Sequence, residues 1–211
     1  MDKAIKFWDK QAKGYDASEK KFEPAFELIL NRTKKYLKRS DNILDFGCAT
    51  GSKTFQLAPF VRNVLCNDIS PMMIELAKKK AEDLAITNAD FLTGTIFDET
   101  LTTDSFDVIV SFGLLHLLKD NEGVMKRVDE LLKPGGYFIS TTACLKENMS
   151  LKSKIEFAMY MFIKRIGLFP LYLNMYRCSD VIDIVSNDFD IIECENMFHD
   201  IHICYIVSKK R

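Results

Sequence analysis

Residues 43–58 read ILDFGCATGSKTFQLA, and this stretch decides how the rest of the chain is read. Apolar residues lead to an acid, Asp45, then Gly47 and Gly51 bracket a short turn, and an apolar-periodic run begins at Phe55. The pattern predicts a strand, a tight turn and the start of a helix. Glycine tolerates positive φ and lets a ligand approach bare backbone, so such a turn at a helix N-terminus offers N–H donors to a nucleotide or an amino acid. An ordinary strand-to-helix connection without a ligand remains the plain alternative at this point.

The next stretch weighs against that alternative. Residues 64–81, VLCNDISPMMIELAKKKA, carry a second apolar strand that ends in Asp68, about twenty residues beyond the glycine turn, where an acid can accept from both hydroxyls of a ribose. A dinucleotide fold places an acid there too, but its G-x-G-x-x-G pattern meets Gly47, Ala49 and Ser52 here, so only the first glycine matches. With Asp45 two residues before Gly47, the segment resembles motif I of the class I S-adenosylmethionine-dependent methyltransferases, D-x-G-x-G-x-G, with Ala49 in place of the middle glycine.

Three further phrases carry the resemblance through the chain. FWDKQAKGYD at 7–16 is similar to the opening W-D-x-x-A-x-x-Y-D of the ubiquinone- and menaquinone-biosynthesis-like, type 11 small-molecule methyltransferases. SFDVIVSFGLLHLL at 105–118 resembles motif IV, and KPGGYFISTTACL at 133–145 is a familiar helix stop, turn and fifth strand. Motif IV holds Ser111, Phe112, Gly113 and Leu114 rather than D/N-P-P-Y, which disfavours methylation of the amino groups of bases or of glutamine. No Pro-Cys pair ends a strand, which disfavours pyrimidine C5 methylation by a cysteine nucleophile.

Composition agrees. The 211 residues, 47% of them hydrophobic, suffice for one sizeable core and are short for two. A balance of 29 basic and 30 acidic residues gives no global reason to expect a nucleic-acid partner. The 6 cysteines are scattered with no C-x-x-C pair, and no three residues suggest a metal site by spacing. They read as small buried hydrophobes in a reduced, cytoplasmic setting, and the charged first residues lack the apolar core of a signal peptide.

The expected architecture is a single α/β methyltransferase domain over 1–211. Residues 1–40 would form an N-terminal helical cap of two helices, and 146–178 an inserted helical lid. Ser70 and Pro71 start a helix carrying Met73, Ile74, Leu76 and Ala77, a third strand lies near 89–93, and a helix spans about 120–132. FDIIECENM and IHICYIVSK alternate apolar and polar residues around His199 and Asp200 and predict a closing hairpin. The resemblance implies a Rossmann-like, seven-stranded, mostly parallel sheet of order 3-2-1-4-5-7-6, strand 7 antiparallel, with helices on both faces.

It further implies S-adenosylmethionine as methyl donor, S-adenosylhomocysteine as product, and a small-molecule acceptor reached by direct in-line transfer. Cofactor candidates are Trp8, Tyr15, Asp45, Gly47, Cys48, Ala49, Gly51, Asp68, Ile69, Met73, Thr95, Ile96, Ser111, Phe112 and Gly113. Thr95 stands where the family often has an adenine-binding Asp, with Asp90 and Asp98 as alternatives. Tyr15 and His116 are the catalytic candidates, though His116 could equally bond locally after its strand.

Residues 148–176, dense in Phe, Met, Leu and Tyr, are interrupted by Glu156, Lys164, Arg165, Gly167 and Pro170 and so cannot span a bilayer. They predict either a lid for an apolar acceptor or a homodimer or membrane-surface contact. His116, Tyr160, Arg165, Tyr172 and Tyr176 are the acceptor-side candidates. An NAD(P)-dependent oxidoreductase and a non-catalytic S-adenosylmethionine-binding regulatory protein remain alternatives.

Overall fold

A computed structural model describes residues 2–148, 151–165, 171–198 and 201–211, the side chains at 2, 152, 153, 156, 160, 163–165 and 198 aside. Seven strands form one sheet: β1 Asn42–Phe46, β2 Asn63–Asp68, β3 Ala89–Thr93, β4 Phe106–Phe112, β5 Leu132–Ala143, β6 Phe189–Phe198 and β7 His202–Lys210. Their order is β3-β2-β1-β4-β5-β7-β6, and β7 alone runs antiparallel to its neighbours, as the resemblance implied.

The apolar runs of β1 and β4 follow from burial of both faces, since alternate residues of each strand meet a different layer. On one face Ile43, Val64, Val108, Val110, Tyr205 and Val207 pack with Ile29 and Leu30 of α2 (Glu23–Thr33) and Ile74 and Ala77 of α3 (Pro71–Asp83). On the other, Leu44, Ile109, Phe138 and Ile206 pack with Val124, Met125 and Val128 of α4 (Asn121–Leu131) and Val181 and Val185 of α6 (Cys178–Ser186). The N-terminal helix α1, Asp2–Glu19, lies on neither layer; Trp8, Ala12 and Tyr15 join Ala49, Met72, Met73 and Leu76 in a third small cluster.

Local signals explain most boundaries. Ser70 caps α3, its Oγ accepting from the Met73 N–H at 3.1 Å, with Pro71 at the first position. Asp120 does the same for α4 through the Gly123 N–H at 2.9 Å. The second of the two helices expected within 1–40 is α-helical only to Thr33 and ends in a 3-10 turn, Lys34–Tyr36.

Two expectations are corrected. The run from Phe55 is not an α-helix: the connection from β1 to β2 is made of two 3-10 turns, Thr54–Gln56 and Ala58–Phe60. Sixteen residues must cross from one strand to the next, Pro59 interrupts them, and Phe55, Leu57 and Ala58 are all drawn into the core, so helical periodicity is abandoned for burial. Likewise Lys133-Pro-Gly-Gly is not a free turn before β5 but an irregularity inside it, the register passing from Phe106 opposite Leu132 to Val108 opposite Tyr137. A side chain at Gly136 would stand 2.9 Å from the carbonyl oxygens of both Asp107 and Lys133, so only glycine fits there.

Between β5 and α6 lies α5, Leu151–Arg165. Its Leu151, Ile155, Met159 and Phe162 are exposed, Leu151 by 76% and Phe162 by 63%. Among the described residues no helix is long and apolar enough to cross a membrane. Gly167, Pro170, His199 and Asp200 lie outside the described residues.

Candidate functional site

A cavity opens at the carboxyl ends of β1, β2 and β4, where the strand order reverses direction about β1. Phe46, Gly47 and Ala49 line it from β1 and its turn, Asn67, Asp68 and Ile69 from the end of β2, and Met73 from α3. Gly94 follows from beyond β3, and Phe112, Gly113, Leu114, Leu117 and Leu118 come from β4 and the turn after it. Trp8 and Tyr15 of α1 close the top. Asp68 stands among the β1 and β2 residues, and the three leucines all come from the β4 turn.

The glycine turn works differently from the sequence expectation. Its amides are engaged within the fold: Gly47 N and Cys48 N both donate to the Asn67 carbonyl, at 2.8 and 3.0 Å, Ala49 N donates to Asp68 Oδ2 at 3.0 Å, and Gly51 N donates to the Cys48 carbonyl at 3.0 Å. Those four donors therefore shape the turn. Gly47 has φ +85° and a side chain there would meet Leu114 Cδ2 at 2.8 Å; Ala49, with φ +49°, holds a left-handed conformation uncommon outside glycine. Cys48 and Gly51 sit behind the lining, Cys48 buried and Gly51 against the Phe55 ring.

Asp68 is fixed by Ala49 N and by Ser70 N, which donates to Oδ1 at 2.9 Å. A carboxylate has about four acceptor sites, so these bonds leave it capacity to accept from a hydroxyl donor in the cavity. Burial pushes its carboxyl above the usual range, while the backbone N–H groups of Ser70, Ala49 and Ile69 oppose that rise. Asn67 donates through Nδ2 to the Gly94 carbonyl at 3.0 Å and keeps a buried Oδ1 without a protein partner. Asp45 does not reach the lining. It is buried beneath the turn, accepts from Thr54 Oγ1, and burial raises its carboxyl to about 6.

The adenine-side expectations are redistributed. Ile69 and Met73 line the cavity, whereas Ile96 is packed in the core with Leu44, Phe46 and Leu101 and Thr95 accepts from its neighbour Phe97 N. Gly94 takes the lining position instead. Asp90 bonds to Asn63 at the far end of β3, and Asp98 is half-buried, bonded to Thr100 and beside Gly94; neither is on the lining. Phe112 and Gly113 line the cavity; Ser111 points away with a buried, unpartnered Oγ. Gly113 N is held by both the carbonyl and Oγ1 of Thr141, at 2.9 and 3.0 Å, and a side chain at Gly113 would meet open space.

Neither catalytic candidate is a conventional base. Burial, with the carboxylates of Glu19, Asp68, Asp45 and Asp16 adding to it, holds the Tyr15 phenol far above its ordinary value, so it stays protonated. His116 lies in a 3-10 turn, Leu115–Leu117, behind the leucine wall rather than on the lining. Burial lowers its pKa to about 4, and Nδ1 has no partner among the described residues. The imidazole is neutral at neutral pH.

The acceptor-side tyrosines also stand back. Tyr176 OH accepts from Asn121 Nδ2 at 2.8 Å, and Asn174 anchors the returning chain through its N–H to the His116 carbonyl at 2.7 Å and its Nδ2 to the Leu118 carbonyl at 2.6 Å. Tyr172 is exposed and, like Tyr176, off the lining. The side chains of Tyr160 and Arg165 lie outside the described residues.

Sequence reasoning missed the residues that hold α1 in place. Asp9 Oδ1 accepts from Ser70 Oγ at 2.6 Å and from Met72 N at 3.2 Å. Asp16 accepts from Thr50 Oγ1 at 2.5 Å, Ser52 Oγ at 3.0 Å and Lys80 Nζ at 2.6 Å, and Lys53 pairs with Glu19 at 2.7 Å. Asp9 and Asp16 are seven apart, two helical turns, so both fall on one face of α1; that spacing was the available signal.

Comparison with known proteins adds the chemistry. A family profile described as a methyltransferase domain matches residues 37–181. Over 207 residues the chain is 26% identical to an uncharacterized methyltransferase, OB1106, of Oceanobacillus iheyensis, covering 97% of this chain and 92% of that one. Over 99 residues it is 37% identical to the demethylmenaquinone methyltransferase of Lactococcus lactis, covering 45% of this chain and 39% of that one. The chain spans about half or less of the length of several curated relatives it matches. Among solved structures, a geranyl diphosphate C-methyltransferase from Streptomyces coelicolor, crystallised with S-adenosyl-L-homocysteine, shares the fold with a TM-score of 0.69 and 10% identity, over 90% of this chain and 77% of that one.

Proposed function

Since the chain belongs to the methyltransferase-domain family, we propose that it transfers the methyl group of S-adenosylmethionine to a small, largely apolar acceptor. The residues present fit that donor. Asp68, with acceptor capacity left, suits the ribose hydroxyls; Ile69 and Met73 offer apolar surface to the adenine; Asn67 Oδ1 is a buried acceptor awaiting a donor. The donor supplies an electrophilic methyl on a sulfonium. What the protein contributes is alignment and dryness: Trp8 and Tyr15 cover the cavity, and the closed glycine turn gives it a rigid floor.

The observation that carries the acceptor class is the wall of Leu114, Leu117 and Leu118. No titratable group on the lining other than Asp68 and Tyr15 is described, and Tyr15 stays protonated. The acceptor must then arrive nucleophilic, as a thiolate, an amine or a stabilised enolate, or lose its proton to solvent. His116, off the lining and with its pKa lowered to about 4, does not remove the acceptor's proton in this reading. Residues 1–40 form the donor-side cap and 146–178 the acceptor-side segment.

The test is release of S-adenosylhomocysteine from S-adenosylmethionine across a panel of small apolar thiols, phenols and enols, with Leu117→Gln beside the wild type. Turnover is expected with at least one apolar nucleophile. Leu117→Gln should lower kcat/KM by on the order of tenfold, as for a lost apolar contact, with binding of S-adenosylhomocysteine kept. Turnover confined to acceptors without an apolar body, or unaffected by the leucine change, contradicts the proposal.

A further inference from the structure

Away from the cavity the fold gathers cysteines that the sequence scatters. Cys144 follows the end of β5, Cys178 is the first residue of α6, and Cys204 lies on β7 opposite Thr142. All three are buried and their sulfurs lie within 4.8 Å of one another. Cys194 of β6 occupies the same sheet face, because Asn196 pairs with Cys204 and residues two apart in a strand share a face. Its thiol adjoins those of Cys178 and Cys204 from outside the 4.8 Å trio, and it is exposed, so the buried trio has a route to solvent.

The position is as telling as the spacing. Cys144 and Cys178 mark the two stems of the 146–178 segment, which are already joined by the Lys146 N–H donating to the Tyr176 carbonyl at 3.0 Å. Cys194 and Cys204 belong to the β6–β7 hairpin. A tetrahedral thiolate site with metal–sulfur bonds of about 2.3 Å needs sulfurs about 3.8 Å apart. The trio would have to close by about 1 Å, which side-chain rotation supplies.

We propose that Cys144, Cys178, Cys194 and Cys204 form a binding site for a soft, thiophilic d10 cation, Zn2+ or Cu+, that ties both stems of the inserted segment to the terminal hairpin. Thiolate sulfur selects such ions. Each thiol releases its proton to solvent as its sulfur–metal bond forms, and no electron is transferred. The site does not depend on the methyl-transfer reading, since none of the four cysteines lines the cavity.

The experiment is titration of the reduced, chelator-stripped full chain with Cd2+, read by the thiolate-to-metal charge-transfer absorbance, followed by competition with Zn2+ and, anaerobically, with Cu+. One equivalent of Cd2+ per chain is expected, displaced by whichever of the two ions the site prefers. Cys204→Ala and Cys144→Ala should abolish the stoichiometric step. The exposed Cys194→Ala, the change least able to disturb folding, should weaken Cd2+ by about tenfold or more. The Cys48→Ala, Cys66→Ala double variant should still take up one equivalent. No stoichiometric uptake by the reduced wild type, or uptake unchanged in Cys194→Ala and Cys204→Ala, overturns the proposal and leaves the cysteines as packing residues.

Discussion

His116 and Asp45 show how burial at single residues sets the response of this protein to pH. The folded His116 takes a proton only near pH 4, whereas an exposed histidine does so near about 6.5. The unfolded chain therefore binds that proton first as pH falls, and His116 costs stability progressively between those values, on the order of 3 kcal/mol in full. Asp45 has the opposite sign: its folded value of about 6 exceeds the ordinary 3.8, so the folded state takes the proton first and falling pH relieves the buried charge. The two windows overlap and oppose. Urea unfolding of wild type and His116→Gln at about pH 7 and about pH 5 separates them: the wild type should lose stability relative to the variant on acidification, and a difference independent of pH contradicts a neutral, buried imidazole. Asp68 and Gly47 were legible at this scale because strand ends, glycines and spacing are local signals. Asn67, Gly94 and the leucines were not, since nothing in an apolar run says which member faces a cavity. Cys48, Ser111 and Ile96 failed for the same reason: a motif gives the neighbourhood, and the pleat of the strand or the twist of the turn decides which side chain faces the ligand.

At the scale of elements, α1 is the part whose role the sequence understated. Its aromatic phrase was legible, but the attachment runs through Asp9 to Ser70 and Met72, and through Asp16 to Thr50, Ser52 and Lys80. Partners so distant in the chain leave no periodic trace. Trp8 is the protein's only tryptophan and lines the cavity, so it reports on α1 directly. Binding of S-adenosylhomocysteine should change the Trp8 fluorescence of the wild type. In the Asp9→Ala, Asp16→Ala double variant that change should shrink and the affinity should fall several-fold, as expected for losing hydrogen bonds worth about 1 kcal/mol each. An unchanged affinity would mean that α1 does not close the site. The connection after β1 teaches the converse. Its apolar spacing at Phe55, Leu57 and Ala58 reads as helical, yet a short crossover interrupted by Pro59 satisfies burial with 3-10 turns instead.

For the whole molecule, strand order was the most legible feature, through the resemblance: the motif phrases, met in a fixed sequence, implied the order that the sheet has, and the antiparallel β6–β7 pair closes the sheet where alternation predicted a hairpin. That hairpin and the family match also decide against the dinucleotide fold. The thiol cluster was invisible for the opposite reason, because it exists only once β5, α6 and β7 have been brought to one end of the sheet. That Asp68 holds the ribose of the donor is the central claim, and it is tested most directly by calorimetric titration of S-adenosylhomocysteine into wild type and Asp68→Ala, with folding of both checked by circular dichroism. The account predicts micromolar binding to the wild type, weakened by about tenfold or more in Asp68→Ala through loss of charge-assisted contacts. No binding to folded wild type, or equal binding to the two proteins, would contradict it.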